Sequence, residues 1–167
     1  MFMADSVVTK HLSQILGGIS QLTENHPKFT IPLLILVYSG IDQFSWLNTD
    51  KEKHGPAEFK EWVEKYMFPH HPMNCSAEQL WAARNGIIHM GTAESANTRN
   101  GVRKLAYSVG PGPHQKTPEE YDLISADVLT QAFVEGALRF IEELRENPEM
   151  HEIAERKAKK IVFLQQS

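Results

Sequence analysis

Residues 30 to 47, "TIPLLILVYSGIDQFSWL", constrain the fold more than any other stretch. A helix built from them is apolar on nearly every side, so it has to be surrounded by other elements rather than laid on a surface. Thr30 is the expected N-cap, and Pro32 falls in the first turn, where its missing N–H is not needed. Ser39, Asp42 and Gln43 break the apolar run, leaving less than the roughly 18 uninterrupted apolar residues of a membrane crossing. The segment therefore predicts the central helix of a soluble protein with no membrane partner.

Amphipathic helices are available to cover it. From Ser6 to Leu22, residues Val7, Val8, Leu12, Ile15, Leu16 and Ile19 recur at helical spacing. Pro56 opens a third helix with Phe59, Trp62, Val63, Tyr66 and Met67 on one stripe. Ser76 and Gln79 form a capping box that starts a fourth at Ala77. The longest signal begins after Ser125 and runs through Val128, Leu129, Ala132, Phe133, Ala137, Phe140, Ile141 and Leu144 until Pro148 interrupts it. "EMHEIAERKAKKIVFL" then resumes as a mostly charged helix.

Between Gly91 and Lys116 the periodicity dissolves into Gly, Asn, Thr, Ser and Pro, apart from "VRKLAYSV", whose alternation predicts a short strand. "EYDLIS" is its expected partner in a hairpin; a rival reading starts a helix at Thr117, Pro118 and Glu120. The sum is an all-α bundle of five or six helices with a small β-hairpin insertion. It forms a single domain over residues 1–167, with a core from about 6 to 146 and a C-terminal helix from about 149 to 164.

At 167 residues and 41% hydrophobic content, such a domain can enclose a core without metal or disulfide help. Cys75 is the only cysteine, and the first residues lack the apolar run of a secretory signal, so a reducing cytoplasm is the expected setting. The net charge of −4 argues against general coating of nucleic acid, because non-specific phosphate binding needs Lys and Arg. Any RNA footprint has to be local.

The fourth helix carries "WAARNGIIHMG", in which Arg84 and His89 flank an otherwise apolar stretch. At about 100° per residue, Asn85 and His89 share a face, whereas Arg84 stands roughly 140° from His89. Two routes reunite them: the long arginine curls round, or a second copy of the chain supplies one partner across a two-fold axis, with Gly86 permitting close backbone approach. A plainer alternative leaves Arg84 at the surface and His89 at the helix end, where a cationic ring meets the dipole and Gly91 terminates the helix.

"RNGIIH" resembles the signature of the HEPN superfamily: an Arg with a polar residue directly after it, four to six residues, then His. That resemblance implies an all-α bundle acting as a homodimer, and in many members a metal-independent ribonuclease of toxin or defence type. It implies Arg84, Asn85 and His89 as catalytic residues, with no cofactor and no metal. His89 would move a proton, Arg84 would hold the phosphoryl oxygens, and Asn85 would orient the imidazole or hold the phosphate. Asp42 resembles the acidic partner that such domains carry on an earlier helix, where it would fix the guanidinium; otherwise it simply faces solvent. The alternative function is a non-catalytic module of the same kind that binds a partner protein or a nucleotide.

Arg99, Arg103, Lys104 and Tyr107 follow the motif and could form an RNA-binding rim with an aromatic for base stacking. The basic run "ERKAKK" could touch RNA or an antitoxin protein, although a helix C-terminus favours such charges anyway. A second Arg-to-His spacing, Arg145 to His151, is split by Pro148 and lies on a connection. His70, His71 and Cys75 have ligand chemistry but not the spacing of a zinc site. "SVGPGPHQK" lacks the ending and the backbone donors of a phosphate-binding loop.

Overall fold

The computed structural model describes residues 6–26, 28–90, 101–110 and 119–161, without the side chains of residues 89 and 90. Within these residues the chain is helical, with six helices and one two-stranded sheet: α1 (Val7–Glu24), α2 (Thr30–Leu47), α3 (Pro56–Trp62), α4 (Ala77–Met90), β1 (Lys104–Ser108), β2 (Tyr121–Ser125), α5 (Ala126–Glu146) and α6 (Pro148–Ala158).

Helix α2 touches each of the other five helices. Its 18 residues have a mean hydropathy of 1.2, enough by length and composition to cross a membrane, yet half of that surface is buried against the rest of the chain. Phe44 stands at the centre, with ring centroids 5.8 Å from Trp62, 5.4 Å from Phe133 and 5.7 Å from Phe140. These edge-on and tilted arrangements suit aromatic quadrupoles. Gly40 allows the contact between α2 and α5, because a Cβ there would lie 2.5 Å from Phe133 Cζ.

Local chemistry sets most helix ends. The Ser6 hydroxyl accepts from Thr9 N at 3.1 Å, and the Glu155 carboxylate on α6 receives Val7 N and Val8 N at 3.1 and 3.0 Å. Helix α6 thus places a negative charge on the positive end of α1. The Ser76–Gln79 capping box is present in both directions, at 3.2 and 2.9 Å. Asn147 caps α6 through Met150 N at 3.1 Å, with Pro148 in the first turn. Helix α2 departs from expectation, since Phe29 occupies the cap position without a side-chain bond and Thr30 is already helical.

Helix α3 is continuous with a π-helical stretch, Val63–Met67, closed by Phe68 N donating to Val63 O at 3.1 Å. The wider turn receives α5: a Cβ on Gly136 would lie 3.0 Å from the Tyr66 carbonyl oxygen.

Further expectations need correction. The strands pair in parallel, Lys104 opposite Tyr121 through Ser108 opposite Ser125, so they are not a hairpin. Alternating residues specify a strand but not its direction. Residues 109–120 provide the dozen or so positions that a parallel return needs, and β2 then runs straight into α5 through the Ser125 cap. The rival reading placed a helix start at Thr117, Pro118 and Glu120; Thr117 and Pro118 lie outside the described residues, Glu119 and Glu120 form a turn, residues 121–125 are strand and α5 begins at Ala126. The C-terminal helix ends at Ala158 rather than near 164, with turns at Lys159 and Lys160, and residues 162–167 are outside the described residues.

Lys157 is fully buried at the far end of α2. Its ammonium donates to the carbonyl oxygens of Trp46 and Lys51, both at 2.7 Å, and to that of Thr49. The Trp46 ring centroid lies 5.0 Å from Nζ. Burial lowers the Lys157 pKa, and nearby Glu52 and Asp50 oppose that shift. A cation at the negative end of a helix, satisfied by three carbonyls, ties α6 to α2. Lys157→Met is expected to lower stability by about 2–4 kcal/mol, because the carbonyls lose their donor inside the protein; chemical denaturation of the two proteins measures the difference.

Candidate functional site

Asp42, on α2, and Arg84, on α4, meet across the interface of the two helices. Arg84 Nε donates to Asp42 Oδ2 at 2.6 Å, and Nη2 lies 2.5 Å from the same oxygen. The Asp42 side chain is only 15% exposed and that of Arg84 20%, so the pair sits at the edge of the core. Asp42 does not face open solvent, as the plainer sequence reading had it. An apolar helix tolerates a carboxylate there because a charge-assisted pair offsets part of its desolvation.

Arg84 also contacts its neighbour on α4. Its Nη1 donates to Asn85 Oδ1 at 2.8 Å, so the guanidinium turns toward the face on which Asn85 lies. Position 89 is one turn further along that face. Arg84 is held in this position by partners within one chain. The Trp81 ring supports it, with the guanidinium carbon 5.1 Å from the ring centroid. Gly86 is buried within the chain.

Sequence reasoning missed the neighbours of this pair. His54, from the polar turn after α2, has its Nε2 2.7 Å from Ser45 Oγ, and its ring is edge-on to Trp81 at 6.4 Å. The hydroxyl of Ser45 also reaches Ile41 O at 2.7 Å and Asp42 O at 3.0 Å. Both carbonyls only accept, so the single hydroxyl proton goes to them and His54 Nε2 is the donor to Ser45. Burial lowers the pKa of His54, while the negative charges of Asp42 and Glu58 partly oppose it. Nothing in "NTDKEKHGP" singles His54 out, since its partners stand elsewhere in the chain.

Among the described residues, Arg103, Lys104 and Tyr107 make contacts with the sheet and the core. Arg103 is held to the sheet, with Nε 3.0 Å from Asp122 Oδ1 and Nη2 donating to Glu119 O at 2.7 Å and Tyr121 O at 3.2 Å. Asp122 in turn accepts from Gln79 Nε2 at 2.7 Å, which ties the sheet to the start of α4. Lys104 Nζ lies 5.4 Å from the Tyr121 ring centroid. Tyr107 packs against the core, its hydroxyl 2.5 Å from that of Tyr38, and burial raises both phenolic pKa values. The side chain of His89, and Gly91 and Arg99 entirely, lie outside the described residues.

His71 pairs with Glu135 at 2.7 Å, His70 is exposed, and burial pushes the Cys75 thiol up to about 11. Among the described residues no group of three His, Cys, Asp or Glu side chains is placed to hold a metal ion. Arg145 is exposed near the end of α5 and His151 lies in α6, so a helix break separates the second Arg-to-His spacing. Within "ERKAKK", Lys157 is committed to α2 and Lys160 to Glu52 at 2.8 Å.

Compared with protein-family models, curated proteins and solved structures, the chain matches none of them.

Two outcomes test this geometry. Arg84→Met leaves the Asp42 carboxylate largely buried without its guanidinium, at a cost of about 2 kcal/mol after allowing for partial solvent access; equilibrium unfolding at neutral pH reads it. An ordinary histidine titrates near 6.5, and His54 in the folded chain titrates lower. Its contribution to stability is therefore present above pH 6.5 and lost as pH falls through that value toward the folded pKa. Unfolding midpoints recorded from pH 7.5 to 5 should fall, and His54→Asn should flatten the decline.

Proposed function

We propose that the chain is a HEPN-like, metal-independent endoribonuclease of toxin or defence type, working as a homodimer in a cytoplasmic setting. Its centre would be Arg84, Asn85 and His89. The observation that supports this most is the Arg84–Asn85 hydrogen bond, which carries the guanidinium toward the face that position 89 shares. Asp42 supports the reading in a second way, since an anchored guanidinium is already oriented before substrate arrives.

The chemistry is attack of a ribose 2′-hydroxyl on the adjacent phosphorus. A base takes the hydroxyl proton, the bond to the 5′-oxygen breaks, and that oxygen takes a proton from an acid. The products are a cyclic phosphate and a 5′-hydroxyl. His89 would serve one of these proton transfers and the partner's His89 the other, while Arg84 balances the growing charge on the phosphoryl oxygens.

One observation favours a second reading. Asp42 takes two nitrogens of Arg84, Nε and Nη2, which suits a non-catalytic module that recognises a partner protein or a nucleotide through the same surface.

Labelled RNA incubated with the protein in EDTA distinguishes the two. The ribonuclease reading expects cyclic-phosphate ends, and about 100-fold or greater loss of rate in His89→Ala with an unchanged circular dichroism spectrum. Asp42→Asn should slow cleavage less, because the guanidinium loses its anchor but keeps its charge. Cleavage that persists undiminished in His89→Ala, or that disappears with EDTA, overturns the proposal.

A further inference from the structure

His54 is half-buried beside the Arg84–Asp42 pair. Its Nε2 donates to Ser45 Oγ at 2.7 Å, and the Ser45 hydroxyl reaches the backbone carbonyl of Asp42 at 3.0 Å. Its ring meets Trp81 edge-on at 6.4 Å, and the Arg84 guanidinium carbon lies 5.1 Å from the centroid of the same indole. His54 is thus linked to both supports of the arginine: to its carboxylate anchor through Ser45, and to the ring beside it directly. With Nε2 donating, Nδ1 keeps the lone pair that takes up a proton in acid. Four charged groups act on the imidazole, each from a different helix: Asp42 on α2, Glu58 on α3, Arg84 on α4 and Lys157 on α6. Glu58 is held by Lys51 at 2.8 Å and by Gly55 N at 3.1 Å, and Lys157 by its three carbonyls. The balance that a charge on His54 changes is therefore the one between Asp42 and Arg84.

We propose that His54 is a positioning residue for Arg84 that couples phosphate binding there to the uptake of one proton. As an imidazolium, His54 attracts the Asp42 carboxylate and repels the guanidinium, and it adds a second positive charge for an arriving phosphate. Both changes act in one direction. Asp42 holds Arg84 less tightly, so the guanidinium turns more readily to phosphoryl oxygens, and the bound anion is attracted by both cations. In the free protein burial disfavours the imidazolium, with Arg84 and Lys157 acting the same way and Asp42 and Glu58 opposing them. A bound phosphate favours it. By linkage, affinity for phosphate then rises as pH falls through the His54 midpoint. This coupling rests on the ribonuclease reading of the Arg84 surface and supplies its regulation by pH.

Fluorescence anisotropy with a labelled single-stranded 2′-O-methyl RNA, which has no 2′-hydroxyl to attack and stays intact, tests it at pH 7.5 and 5. Between these values the intact chain should gain about fivefold more affinity than His54→Gln gains. Glutamine keeps an amide donor for Ser45 but takes no proton, and circular dichroism at each pH checks that both proteins are folded. NMR titration of the His54 imidazole over the same range gives a second readout. Its midpoint should move to lower pH in Asp42→Asn, which removes a charge that favours the imidazolium, and to higher pH when the RNA analogue is bound. An equal gain of affinity in His54→Gln, or a midpoint that either change leaves in place, overturns the coupling while the ribonuclease reading stands. RNA that binds at neither pH overturns that reading and the coupling with it.

Discussion

A helix apolar on nearly all sides cannot be left at a surface, and satisfying α2 organises the rest of the molecule. The other five helices all rest on it, and the aromatic rings of Phe44, Trp62, Phe133 and Phe140 fill the space between it and α3 and α5. Burial of these large side chains is the main favourable contribution to folding. Close packing also requires small residues at the contacts, and Gly40 on α2 and Gly136 on α5 supply them. Adding a methyl at Gly40 has no space to fill, so the ring of Phe133 would have to move.

The same burial makes the polar groups of α2 consequential. Asp42 lies where its charge would be costly alone, and Arg84 from α4 answers it. At the helix's C-terminal end, Lys157 from α6 answers the Trp46 carbonyl and two carbonyls beyond it. The Asp42 carboxylate and the carbonyls at the helix's end are each met by a cation from a different element. These contacts fix the angles at which α4 and α6 can dock, and thereby place the Arg84 face and close the bundle.

The sheet contributes to the position of α4 as well. Gln79 caps that helix through its Oε1 and reaches Asp122 through its Nε2, while Arg103 braces Asp122 from the strand side. One side chain thus links the start of α4 to β2. Of the basic residues after the motif, Arg103 and Lys104 make contacts within the sheet in this arrangement. Tyr107 turns its hydroxyl to Tyr38 on α2, joining β1 to the central helix as well.

The sequence by itself determined the helices, because periodicity, caps and prolines act over a few residues. The all-round apolarity of residues 30–47, the Ser76–Gln79 capping box and the break at Pro148 each have a local cause and were legible as such. Asp42 and Arg84 were both visible as charged residues in apolar settings, and a resemblance suggested that they belonged together. Tertiary structure alone decided that they meet, that His54 and Ser45 join them, and that Lys157 is buried. Strand direction was decided there too: alternation repeats every two residues whichever way the chain runs, so only the docking of α4 and α5 could choose the parallel pairing. Contacts between residues distant along the chain depend on how whole helices pack, and no local pattern records that.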